Sequence, residues 1–130
     1  MHKSFLVWAA ALGALAVILG AFGAHKLKEL VTPESVSVFQ TGVTYQFYHV
    51  FALIATGILF AYLPASALEW AGRCFIIGIF LFSGSLYLIT ALKIGGNEIP
   101  KLIGILTPIG GVFFIAGWIC LLSGLLKYKA

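Results

Sequence analysis

The residues with the greatest chemical capacity in this sequence are two histidines and the polar side chains around one of them. His25 follows the first apolar run, and His49 ends the segment Tyr-Gln-Phe-Tyr-His at 45–49. On a helix, Tyr45 and Gln46 lie four and three residues before His49, so either side chain can contact the imidazole. Histidine can ligate a metal or haem, relay protons or donate one structural hydrogen bond. Which of these applies depends on the elements that hold the ring.

The composition places those elements in a lipid bilayer. Of 130 residues, 62% are hydrophobic and only 9% are charged, and the mean hydropathy is +1.09. A soluble domain carries about 25% charged residues, and a chain of this size buries only about two-thirds of its surface on folding. These figures exclude a soluble domain, a disordered chain and a nucleic-acid-binding protein. Since one span takes about 20 residues, the length predicts an all-α bundle of four transmembrane helices in a single membrane domain, 1–130.

The apolar runs predict spans at about 5–24, 46–63, 73–92 and 102–126. Before the second span, Thr32 as N-cap and Pro33 at the first helical position predict a helix start. The helix from there begins amphipathic, which predicts an interfacial segment at about 33–45 with a bend near Gly42. Pro108 predicts a kink near the start of the fourth span.

Helices joined by one short loop run antiparallel, so His25 and His49 are expected near the same membrane face. The third span ends, and the fourth begins, at that face as well. We therefore predict a polar cluster at one end of the bundle, made of His25, Tyr45, Gln46, Tyr48, His49, Thr90, Lys93 and Thr107.

Several interpretations of this cluster stay open. The side chains can simply bond to one another or to backbone groups within the bundle. They can form a proton or solute pathway, or a pocket for a lipid, a quinone or another apolar ligand. Haem or metal ligation has the least support, because no carboxylate or thiolate accompanies the two histidines. Cys74 and Cys120 lie in apolar runs and predict neither a disulfide framework nor a metal site, and no catalytic set is evident.

Small residues at helical spacing predict close helix packing. Glycines recur every seven residues along the fourth span, and a Ser-Gly-Ser segment lies in the middle of the third, where hydroxyls can bond to a preceding carbonyl. The predicted packing residues are Gly20, Ser83, Gly84, Ser85, Gly110, Gly117 and Gly124.

The basic residues in the loops do not decide the orientation of the chain, because four of them lie on each side of the membrane. Acidic residues are more numerous on the side of the first and third loops, and the N-terminal amine adds to the other side. This difference favours N-in/C-in insertion in the cell (inner) membrane.

Four motifs in order carry a family resemblance: GAFGAH (20–25), FQTGVTYQFYH (39–49), LFSGSLY (81–87) and TPIGGVFFIAGW (107–118). They resemble the small bacterial membrane proteins of the YgdD/YwdK type, a domain of unknown function with relatives among small eukaryotic transmembrane proteins. The resemblance covers nearly the whole chain and implies a four-span integral membrane protein, without implying a mechanism. It places emphasis on His25, Tyr45, Gln46, Tyr48, His49, Ser83, Gly84, Ser85, Tyr87, Thr107, Pro108, Gly110 and Gly111.

These observations predict a non-enzymatic membrane component that packs with itself or with a larger membrane complex through its glycine seams. One alternative is a small transporter or proton-linked pocket around His25 and His49. The other is a binding site for a lipid, quinone or haem. The expected partners are the bilayer and a second protein or copy, with no nucleic acid.

Overall fold

The computed structural model describes residues 1–129 and shows an all-helical chain in that range. The long helices are α1 (Lys3–Ala24), α2 (Pro33–Leu59) and α5 (Lys101–Leu126). The third span is built from α3 (Ala65–Gly78), a π-helical turn (Ile79–Ser83) and α4 (Gly84–Ile94). A short 3₁₀ turn (Lys26–Glu29) follows α1. Ala130, the last residue of the predicted domain, lies outside the described residues.

Four helical segments are long and apolar enough to cross a membrane: Lys3–Glu29, Pro33–Leu59, Ser66–Ile94 and Lys101–Leu126. This confirms the predicted fold class. Two loop regions, 25–32 and 95–100, lie at one end of the bundle, which we call the His25 end. Residues 1–2, 60–64 and 127–129 form the opposite end, which we call the His2 end.

Helix α2 starts as the sequence predicts. Thr32 is the N-cap, and its hydroxyl oxygen accepts a hydrogen bond from the backbone N–H of Ser35 at 3.3 Å. The helix then continues without interruption from Pro33 to Leu59, so the predicted boundary between an interfacial and a spanning part at 45/46 coincides with no helix end. Phe39 and Val43 pack against α1 at Gly23 and Gly20, which places the predicted interfacial segment alongside α1.

The third span differs from the prediction at its start. The structure is helical from Ala65, eight residues before the predicted start at 73, where the sequence suggested a loop. Ala, Leu and Glu are strong helix formers, and the Glu69 carboxylate pairs with the Arg73 guanidinium four residues later at 2.7 Å. The residues 65–72 therefore extend the span by about two turns. Helix α5 also stays helical through Pro108, and the predicted kink stays a prediction.

One apolar core joins all four spans. It contains Phe5, Ala9 and Leu12 of α1, Val50 and Leu53 of α2, Ile79 of the π turn and Phe114 of α5. Helix α1 packs chiefly on α2, whereas α5 packs on α3, the π turn and α4. Helix α2 touches both groups, and it carries the polar residues described next.

Candidate functional site

The polar residues of α2 point in two directions. Gln46 and His49 are buried, while Tyr45 and Tyr48 are exposed on the outer surface of the bundle. Positions 46 and 49 are three residues apart and share one face of the helix, and 45 and 48 share the neighbouring face. The segment 45–49 therefore supplies an inward and an outward polar pair within little more than one turn.

The inward-facing Gln46 holds three helices together. Its amide nitrogen donates to the backbone carbonyl of Leu12 on α1 at 2.7 Å, and its amide oxygen accepts from the hydroxyl of Tyr87 on α4 at 2.6 Å. Gln46 is 1% exposed. A buried amide costs several kcal/mol when its hydrogen bonds are lost in an apolar medium, so this network fixes the positions of α1, α2 and α4 relative to one another.

His49 belongs to a second network. Its Nε2 lies 3.1 Å from the indole Nε1 of Trp118, and its Nδ1 lies 2.7 Å from the carbonyl oxygen of Tyr45. Because an indole N–H can only donate, Nε2 is the acceptor and the proton resides on Nδ1, which donates to the carbonyl. The ring stacks on Phe114 with centroids 3.5 Å apart and planes 6° apart. The imidazole is thus neutral, and both of its nitrogens are engaged.

The serines of the third span bond across helices. The Ser83 hydroxyl donates to the backbone carbonyl of Gly42 on α2 at 2.6 Å. Ser85 lies 2.6 Å from the hydroxyl of Thr107 on α5 and also donates to the carbonyl of Phe82. Within residues 1–129, the Thr90 hydroxyl bonds only to the carbonyl of Leu86, one turn earlier.

The predicted single cluster therefore divides. His25 is exposed at the C-terminal end of α1, and Lys93 is exposed at the same end of the bundle. His49 lies 16 residues into α2, about 24 Å along the axis from Pro33, and contacts Phe75 and Trp118. The structure does not bring His49 to the end of the bundle where His25 lies, because the amphipathic start of α2 is itself part of the long helix.

The predicted packing glycines of α5 contact the rest of this chain. A methyl group on Gly110 would overlap the backbone nitrogen of Phe82, and one on Gly117 would lie 2.7 Å from the Phe75 ring. One on Gly124 would lie 3.0 Å from Leu68. The seam is therefore filled by the third span and is not available to a second protein. Among the other predicted packing residues, Gly20 faces Val43 of α2, and a methyl group on Gly84 would meet only the Ile79 carbonyl oxygen, at 4.0 Å.

An aromatic groove lies on the outer surface between α2 and α5. Its volume is about 540 Å³. It is lined by Tyr45, Tyr48, His49, Phe82, Gly111, Phe114, Ile115 and Trp118. The Tyr45 ring lies 4.7 Å from that of Phe82, and Trp118 is 47% exposed. The groove thus combines aromatic walls with the edge of the His49 network.

Neither tyrosine hydroxyl of the groove has a hydrogen-bond partner within residues 1–129, in contrast to the hydroxyl of Tyr87. Tyr45 is 40% exposed and Tyr48 is 58% exposed. These two phenols are therefore free to bond to a molecule outside the chain.

The sequence interpretation missed Trp118, Phe82 and Phe114 as parts of a site. A signal was present, because Gly111, Phe114, Ile115 and Trp118 follow one another at steps of three, one and three, which is one face of a helix. Nothing in the spacing of these residues indicates that this face meets the 45–49 segment. His2 was missed as well: its Nδ1 accepts from the Phe5 backbone N–H at 3.3 Å, and its Nε2 bonds to Glu69 at 3.1 Å.

Four apolar helical spans with hydrogen-bonded polar residues between them define a multi-pass integral membrane protein. Comparison with known proteins agrees. A family model described as a protein of unknown function (DUF423) matches residues 19–111. The chain belongs to this family of UPF0382 membrane proteins, which confirms the resemblance found in the motifs.

Individual relatives align over almost their whole length. A UPF0382 membrane protein of Staphylococcus saprophyticus is 39% identical over 96% of this chain and 98% of its own. YwdK of Bacillus subtilis is 38% identical over 97% of this chain and 98% of its own. YgdD of Escherichia coli, named an inner membrane protein, is 34% identical over 98% of this chain and 92% of its own. No solved structure matches this chain. The N-in/C-in orientation stays a prediction.

Proposed function

We propose that this protein is a non-enzymatic membrane component that acts by binding another molecule within the bilayer, at the aromatic groove. The observation that carries the proposal is the contrast on α2. The inward-facing Gln46 and His49 use their hydrogen bonds inside the bundle, whereas the outward-facing Tyr45 and Tyr48 leave theirs open.

The buried polar side chains support a scaffolding role. Among the described residues, every buried side-chain nitrogen or oxygen has a hydrogen-bond partner. Those partners are backbone carbonyls or polar side chains of the same chain, for example Gly42 for Ser83 and Leu12 for Gln46. Such bonds hold helices in a fixed arrangement, so the interior serves as a frame for the groove.

The transporter alternative has less support, because the structure separates the two histidines on which it depends. His25 lies at the His25 end of the bundle, and His49 lies deep among Phe75, Phe114 and Trp118. Haem ligation through His49 would require the imidazole to give up the Trp118 indole, since both ring nitrogens are already bonded. Binding of an organic molecule beside the ring needs no such change.

The proposal is tested by filling the groove. Gly111 lines it, and a methyl group there would meet only a Phe82 ring carbon at 3.9 Å, so Gly111→Leu fills the groove while the bundle is preserved. Gly104→Leu on the same helix is the matched control, because within residues 1–129 a carbon added there meets no atom within 4 Å beyond its chain neighbours and its own helix backbone.

The measurement is native mass spectrometry of protein released from membranes in polymer nanodiscs. The wild type and Gly104→Leu are expected to carry a bound molecule, either a small molecule or a protein, in fixed stoichiometry beyond bulk phospholipid. Gly111→Leu is expected to lose it. A wild type that carries nothing specific, or a Gly111→Leu variant that keeps the bound molecule, would refute the proposal.

A further inference from the structure

The phenols of the groove lie near the middle of the second spanning helix, far from both of its ends. Helix α2 has 27 residues, which is about 40 Å. Tyr45 is 12 residues after Pro33 and Tyr48 is 11 residues before Leu59, so their Cα atoms lie about 18 Å and 16 Å from the two helix ends. Tyrosine normally anchors a helix at the membrane interface. Two exposed tyrosines at mid-depth depart from that pattern.

Their hydroxyls need an acceptor that the chain does not supply within the described residues. A hydroxyl without a hydrogen bond in hydrocarbon is costly, and membrane proteins place polar groups at this depth where they have a use. Phospholipid chains do not meet this need, because they carry no acceptor at the bilayer centre and their ester groups lie near the interface. The acceptor must come from a molecule whose polar atoms reside at the centre.

On these grounds we infer that the groove binds a flat, lipid-soluble ring that carries carbonyl oxygens, which is the chemistry of a quinone. The inference rests on the proposed function and names the ligand class of the same groove. Ring carbonyls accept hydrogen bonds from phenols, and a ring fits between aromatic walls by offset or edge contacts. In the groove those walls are Phe82, Phe114 and Trp118.

The dimensions agree with such a ligand. The volume of about 540 Å³ falls within the range of about 300–1,000 Å³ that is usual for small-molecule sites. Ile115 and Tyr48 at the rim are 61% and 58% exposed, so the groove opens sideways to lipid. A hydrophobic tail on the ring can therefore leave through this side without crossing the bundle.

The test uses the fluorescence of Trp118 in nanodiscs of one defined phospholipid. Trp8→Phe and Trp70→Phe leave Trp118 as the single tryptophan. Decylubiquinone is the probe, and decanol is the control for its alkyl chain. We expect saturable quenching by decylubiquinone, no saturable change with decanol, and loss of the saturable phase in Gly111→Leu.

The hydroxyls are tested by Tyr45→Phe with Tyr48→Phe. This pair is expected to weaken decylubiquinone binding about tenfold, as two hydrogen bonds of ordinary net strength would. Tyr62→Phe, an exposed tyrosine beyond the end of α2, is the matched control and should leave the affinity unchanged.

Two results would overturn the inference. The first is quenching that rises linearly with probe and is equal in all variants, which indicates collisions in the lipid. The second is a stable dimer in the nanodisc with no response to decylubiquinone, which would make a second copy the occupant. In that second case, a bound species lost on Gly111→Leu would leave the proposed function standing while the ligand class is refuted.

Discussion

The contact between α1 and α2 and the contact between the third span and α5 both use glycine, but the glycines face different parts of the neighbouring helix. On α1, a methyl group on Gly13 or Gly20 would lie 3.4 Å from a valine methyl of α2, and one on Gly23 would lie 2.9 Å from the Phe39 ring, so the nearest atoms all belong to side chains. On α5, one on Gly110 would overlap the Phe82 backbone and lie 2.8 Å from the Leu81 carbonyl carbon. A side chain can shift by a few tenths of an ångström, whereas backbone within a helix cannot move without moving the helix.

This difference indicates how each interface is specified. The contact of α5 with the third span is fixed by the shape of the backbone at Gly110. The contact of α1 with α2 meets side chains that can shift, and polar bonding specifies it, because Gln46 reaches the Leu12 carbonyl next to Gly13. Three substitutions distinguish the two kinds of contact.

Gly110→Ala should cause the largest loss of stability. The added methyl has no room against the Phe82 backbone, and overpacking of this kind costs about 3 kcal/mol. Unfolding of the purified protein by SDS titration, followed by circular dichroism, measures the change. Gly111→Ala is the neighbouring control, and it should be neutral or slightly stabilising because alanine is the better helix former. Equal losses in the two variants would contradict the close-contact interpretation.

Gln46→Leu should cost about 2 kcal/mol in the same titration. It removes the bonds to Leu12 and Tyr87 and leaves the half-buried Tyr87 hydroxyl without this partner. Each such loss costs about 1 kcal/mol in a membrane protein. Tyr87→Phe removes only one of the two bonds and should cost about half as much. If Gln46→Leu proved neutral, polar bonding would not be what specifies the α1–α2 contact.

Gly20→Ala should change stability by no more than about 0.5 kcal/mol. The gain in helix propensity offsets a contact that Val43 can relieve by a small shift. The same titration checks it. A loss near that of Gly110→Ala would show that α1 packs as rigidly as α5, and the contrast between the two interfaces would disappear.

Much of this architecture could be predicted from the sequence. The apolar runs and the cap at Thr32 predict four helices, because hydrocarbon leaves the chain no alternative to helix for its backbone groups. The start of the third span was missed, since the small and polar residues at 65–72 resemble a loop in composition. Hydropathy distinguishes segments that lie in lipid from segments that lie in water. It does not distinguish a loop from a helix that extends beyond the apolar core.

The site was predicted only in part. The segment 45–49 was identified, but its distance from His25 was not, because the sequence does not say how far a long helix extends along its neighbours. The meeting of His49 with Trp118 depends on how α2 and α5 are rotated, and the two are 69 residues apart in the chain. Spacing within one helix reveals a face, whereas the partner of that face is a property of the assembled bundle.

The π turn at Ile79–Ser83 determines how α4 is rotated about the helix axis relative to α3. In this turn the Gly84 backbone N–H donates to the Ile79 carbonyl, five residues earlier. The hydrogen-bonded turn therefore contains one residue more than a turn of α-helix, where the bond spans four residues. Removing one residue there would rotate everything from Gly84 to Ile94 by about 100° and turn Tyr87 away from Gln46. A sequence that gains or loses one residue in this turn would keep its hydropathy profile and lose the bonds that join its helices.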